Sequence, residues 1–157
     1  MTLAKQIAKH FREVYSGDNW TAVNLKDTLA DINWRQAITK VHNLNTIAAL
    51  VFHINYYVNA VLKVLQGSSL NASDKFSFDL QPITSEEDWK NLVTKSLSEA
   101  ELFAVQIETL DEKKLFDNFE DPKYGNYFRN LVGIIEHTYY HLGQISLIKK
   151  IINDKNL

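Results

Sequence analysis

Over four long stretches of this chain, apolar residues recur every three or four positions, the spacing that lines one face of an α-helix. The first stretch runs from Thr2 to Tyr15, with Leu3, Ile7, Phe11 and Val14 on one stripe, and halts at Ser16-Gly17-Asp18-Asn19. The second covers Thr46 to Leu65, with Asn45 as its N-cap and Gly67 at its C-terminal turn. Its apolar positions are Ile47, Leu50, Val51, Ile54, Val58, Val61, Leu62 and Leu65. The third opens on a capping box between Thr84 and Glu87, carries Trp89, Leu92, Val93, Leu97, Ala100, Ala104 and Ile107, and ends near Leu110. The fourth spans Asn126 to Asn153.

The segments between them are polar with scattered apolar anchors. From Trp20 to Asn45 the pattern predicts two short helical pieces, one capped by Asn24 (Leu25, Leu29) and one by Asn33 (Ala37, Val41). Lys75 to Leu80 alternates, which allows a short extended piece, and Leu115 to Phe119 alternates in the same way. Only 5 Gly and 2 Pro punctuate the chain, too few for a many-turned β fold. The expectation is an all-α fold: a four-helix bundle in a single domain over 1–157, with short helical pieces between the first and second long helices.

Composition narrows the function classes. With 45% hydrophobic and 23% charged residues the chain reads as globular. A net charge of −2, with both signs interspersed, points to neither nucleic acid nor an anionic membrane. The absence of Cys excludes disulfides, thiolate ligands and a cysteine nucleophile. The polar opening from Met1 to His10 does not read as a signal peptide, so a cytoplasmic protein is expected.

The chemistry concentrates in histidines. His137 and His141 stand four residues apart, so their rings project about 40° apart on one helix face, close enough to grip one ion. Both fall at the edge of the apolar arc made by Leu131, Ile134, Ile135, Leu142, Ile145, Ile148 and Ile152. Imidazoles facing inward cost desolvation unless hydrogen bonds or a metal satisfy their nitrogens. His53, in the middle of the second long helix, is a third candidate, and facing helices of a bundle are where such ligands converge. A core histidine bonded to Tyr56, Tyr57, Tyr139 or Tyr140 is the competing reading. His10 and His42 read as surface residues, and Glu136 projects about 100° away from His137. Thr138, not Glu, follows His137, so the zinc-protease signature is absent.

Taken together, the Gly17-Asp18-Asn19-Trp20 stretch leading to Leu29-Ala30-Asp31-Ile32, the run Asn45 to Ile54 containing His53, and His137-Thr138-Tyr139-Tyr140-His141-Leu142-Gly143-Gln144-Ile145 resemble the DinB/YfiT-like superfamily of metal-binding four-helix bundles. The similarity extends over nearly the whole chain. It implies that His53, His137 and His141 hold a divalent transition metal, zinc or nickel, with an open position. It also implies a homodimer, and a small-molecule substrate that in this superfamily includes low-molecular-weight thiols.

Two function classes follow. One is a metal-dependent enzyme of thiol-transferase or hydrolase type; the other is a non-catalytic bundle whose histidine or metal cluster is structural and whose surface binds a partner. No catalytic residue is assigned, but Tyr140 and Gln144 are weak candidates, Gln144 as a group that orients a ring from one turn beyond His141. Trp20 and Trp34 are expected to pack the connecting segment against the bundle.

Overall fold

A computed structural model describes residues 1–154; the last three residues of the expected 1–157 domain lie outside the described residues. It is all-helical, with six α-helices, four of them long: α1 (Leu3–Ser16), α2 (Leu25–Leu29), α3 (Trp34–Ile38), α4 (Ile47–Leu65), α5 (Glu86–Glu108) and α6 (Tyr127–Asn153). No strand occurs among the described residues. Among the described residues a single isolated β-bridge joins Asn118 to Asn126.

Both short helices start where the sequence places their caps. Asn24 accepts from the Asp27 amide, and Asn33 forms a full capping box with Gln36. Two long helices start one residue later than expected. Thr46, not Asn45, caps α4, its hydroxyl accepting from Ala49 N at 3.2 Å. Ser85, not Thr84, caps α5, and Asp88 reaches back to Thr84 N and Oγ1 at 2.9 Å, so the reciprocal box is built one register on. The expected extended piece at Lys75–Leu80 is instead a 3₁₀ turn over Asp74–Phe76, since no neighbouring strand offers it hydrogen bonds. The alternation at Leu115–Phe119 likewise lies at a 3₁₀ turn, Glu112–Phe116, and serves to bury Leu115 and Phe119.

The four long helices close a ring. α1 packs on α5 and α6, and α4 packs on the same two, so α1 and α4 face each other across the core. The α2–α3 segment carries the chain across, α2 leaning on α1 and α6, and α3 on α4 and α5. Phe11, Ile54, Phe103, Ile107, Leu131 and Ile145 fill the centre, with Phe11 and Phe103 edge to face at 4.8 Å. Each such side chain contributes about 1.5–3 kcal/mol on burial. α4 is long and apolar enough to cross a membrane by length and composition, but most of it is buried inside the fold.

The tryptophans divide. Trp34 packs half-buried against the core, whereas Trp20 is 101% exposed and packs on nothing. Trp20 sits in a turn that Asn19 closes on itself, through bonds to the Glu13 and Val23 carbonyls, which leaves the indole outside. Trp89 is the indole that ties the crossing segment down, donating to Ile32 O at 2.7 Å.

Candidate metal centre

The α4–α6 contact brings His53, His137 and His141 together, their ligand atoms all within 4.8 Å of one another. Nε2 of His137 lies 3.1 Å from Nε2 of His53 and 3.1 Å from Nε2 of His141. Helical geometry accounts for the pair on α6, since residues four apart stack on one face. His53 comes from the middle of α4, where its neighbours Leu50, Val51 and Ile54 are core residues that fix the helix against α6.

Aromatic rings hold the imidazoles in place. Phe78 stacks on His53 with centroids 4.0 Å apart and planes within 10°. Tyr57 sits edge-on to both His53 and His137, at 5.2 and 5.1 Å. Gln144 fixes the third ring: its Oε1 accepts from Nδ1 of His141 at 2.7 Å, which puts the proton on Nδ1 and leaves the Nε2 lone pair facing the other two rings. The segment carrying Phe78 is tethered in turn. Tyr56 Oη accepts from Ser73 N at 2.8 Å, Tyr57 donates to Asp74, and Leu70 N donates to Glu120 at 3.0 Å.

The surroundings favour neutral imidazoles. Burial, reinforced by the two neighbouring rings, pushes the His137 imidazole down to about 4. Burial and then His141 lower His53 as well, against smaller opposing effects of Ser77 and Asp74. Burial, with Asp74 beside it, pushes the Tyr57 hydroxyl up to about 12, so it stays a donor.

A cation fits this donor set. A neutral ring nitrogen offers a proton or a lone pair, not both, so His137 Nε2 can make at most one well-formed hydrogen bond with its two neighbours. Three lone pairs converging on one ion remove that conflict. Ligands at roughly 2.0–2.1 Å around a tetrahedral metal stand about 3.3 Å apart, close to the spacing seen. Nδ1 of His53 is buried and lacks a hydrogen-bond partner of normal geometry.

The site opens to one side. A cavity of about 660 Å³ reaches it, lined by His53, Tyr57, Asp74, Phe119, Tyr124, Arg129, Gly133, Glu136 and His137 among others. His141 is not on that wall; it backs the cluster. Of the two weak catalytic candidates, Gln144 touches His141 directly, while Tyr140 is 65% exposed and meets only the His141 ring edge, outside the cavity. Glu136 borders the cavity without touching the cluster. His10 and His42 are exposed and stand outside the cluster, His10 beside Glu13 and Tyr139. Sequence reading named Tyr57 only as a possible hydrogen-bond partner of a core histidine, whereas it meets His53 and His137 edge-on; Phe78, Asp74 and Arg129 were missed and carried no local signal.

No protein-family model, curated protein or solved structure matches the chain.

Proposed function

We propose that the chain is a DinB/YfiT-like four-helix bundle that binds a divalent transition metal, zinc or nickel, through His53, His137 and His141. We further infer that it is a metal-dependent enzyme acting on a small molecule, of thiol-transferase or hydrolase type. The observation that carries this reading is the convergence of three imidazole Nε2 atoms, 3.1 Å apart in two of the three pairs, beside an open cavity that His53 and His137 line.

A divalent ion held there supplies Lewis acidity to a substrate donor atom, which is the chemistry that three neutral ligands and an open side suit. The chain's own residues do the rest. Gln144 holds the His141 proton on Nδ1, so that Nε2 keeps its lone pair inward. Phe78 and Tyr57 fix the His53 plane and exclude water from that flank. Tyr57, itself donating to Asp74, presents a polar edge to whatever enters the cavity. The open wall favours a reactive site over a structural one, because structural zinc is ordinarily enclosed by four protein ligands. A homodimer belongs to the proposal through the resemblance alone.

The test is elemental analysis of protein purified without a histidine tag, beside the His137→Ala and His141→Ala variants. About one divalent metal per chain in the parent, lost in both variants, is the expected result. No metal after incubation with zinc or nickel overturns the reading and leaves a helical scaffold with a buried histidine cluster.

A further inference from the structure

Charge is uneven along the cavity beside the histidines. Arg129, Gly133 and His137 follow one another at four-residue spacing on α6 and all edge that cavity. Arg129 stands eight residues, about 12 Å of helix axis, from His137. Between them Gly133 presents no side chain, and even a Cβ there would have nothing within 4 Å. Gly133 therefore leaves open space on the wall between the two residues.

Arg129 is positioned but not neutralised. Its Nη1 donates to the Tyr124 carbonyl at 2.9 Å, and its Cδ lies against Gly125, where an added Cβ would stand only 2.9 Å away. Gly125 has φ 78°, a left-handed conformation that suits glycine, so the turn that seats Arg129 depends on it. The other two arginines are engaged: Arg12 with Glu101 and Glu108, Arg35 over the Trp34 ring. Among the described residues Arg129 makes no ion pair. The two carboxylates of the cavity wall belong to its histidine half, Asp74 bound by Tyr57 and Glu136 adjacent to His137.

We propose that the cavity takes an elongated small molecule bearing a carboxylate at the end remote from its metal-binding group, and that Arg129 is the residue that receives this carboxylate. The donors that Tyr124 leaves free form part of a planar fork, which matches a carboxylate better than any neutral group. The inference rests on the metal reading of the histidine cluster and adds the substrate class.

The experiment uses protein loaded with cobalt(II), whose visible spectrum responds to a ligand on the metal. Monohydroxamates of linear dicarboxylic acids, in a series of chain lengths, are titrated beside their methyl esters. At one length the acid binds about tenfold more tightly than the ester, as a charge-assisted hydrogen bond implies. Arg129→Gln abolishes that preference and leaves ester affinity unchanged, and Arg129→Lys restores part of it. Acid and ester binding alike at every length, or a preference that survives in Arg129→Gln, overturns the proposal. Failure of the parent chain to take up cobalt overturns the metal reading on which it rests, and the cobalt spectrum alone tells the two failures apart.

Discussion

His53 Nε2 and His137 Nε2 lie 3.1 Å apart although 84 residues separate them. That contact depends on how α4 packs on α6, and the packing depends on core residues outside the cavity lining, such as Ile54 on one helix and Ile145 on the other. The site is therefore as rigid as the core beneath it, while its third ring is oriented by a single polar group, Gln144.

Gln144→Leu removes the acceptor that keeps the His141 proton on Nδ1. The ring then loses its fixed tautomer and orientation, and metal affinity falls by about 10–100-fold, the usual effect of deleting a group that orients a ligand. Competition against a chelator of known affinity measures it, with circular dichroism confirming that the helices persist. Unchanged affinity would show that Gln144 plays no part in holding the ring.

The α6 pair was legible in the sequence because its geometry is local: a spacing of four on a helix fixes two rings on one face whatever the rest of the chain does. His53 was legible as helical and inward-facing, but its partnership with α6 is a long-range fact that the residues suggested only as one candidate, through the general convergence of ligands from facing helices and through a resemblance. Caps were read to within one residue, since Asn45 and Thr46, or Thr84 and Ser85, are nearly equal competitors and tertiary packing picks between them. Phe78 and Asp74 were not legible at all. They lie on a connection without α-helix whose path is set by Tyr56, Tyr57 and Glu120, groups whose tethering bonds leave no periodic trace. Trp20 misled, because a large indole ordinarily buries, and here a self-contained turn around Asn19 holds it in solvent.

Phe103→Ala tests the core that sets the α4–α6 geometry from the far side. Phe103 is fully buried and meets Phe11 edge to face. Truncation to Ala in such a position costs about 3–5 kcal/mol, readable as a lowered urea midpoint with little change in slope. A loss below about 1 kcal/mol would mean that the centre repacks freely, which a ring of helices built on interlocking aromatics should not do.

Chelation separates a reactive site from a structural one. The four-helix core is continuous without the cluster, so stripping the metal should leave helical circular dichroism intact and lower the melting temperature only by the binding free energy of the ion. Loss of most helical signal on chelation would instead identify the ion as the element that holds α4 to α6, and would favour the non-catalytic alternative.

The stripped protein should also lose stability in mildly acidic solution. Burial holds the His137 imidazole near 4 in the folded chain, below its ordinary 6.5, with His53 lowered in the same direction. Between those values the unfolded chain binds more protons than the folded one, so stability rises with pH across this window and falls as pH drops from about 6.5 toward 4. The depressed carboxylates act lower: Asp31 beside Lys149, Asp88 beside Thr84 and Asp121 beside Lys123 lie below the ordinary 3.8, and Glu108 beside Arg12 below its ordinary 4.5, so their contribution is lost only as pH falls through that lower range. Thermal melts of the chelated parent from pH 7.5 to 4.5, set against His137→Leu, isolate the histidine effect. The parent's midpoint should drop steeply through this range and the variant's much less. Parallel curves for the two proteins would show that His137 is not held neutral by the fold, and would undercut the buried three-imidazole cluster itself.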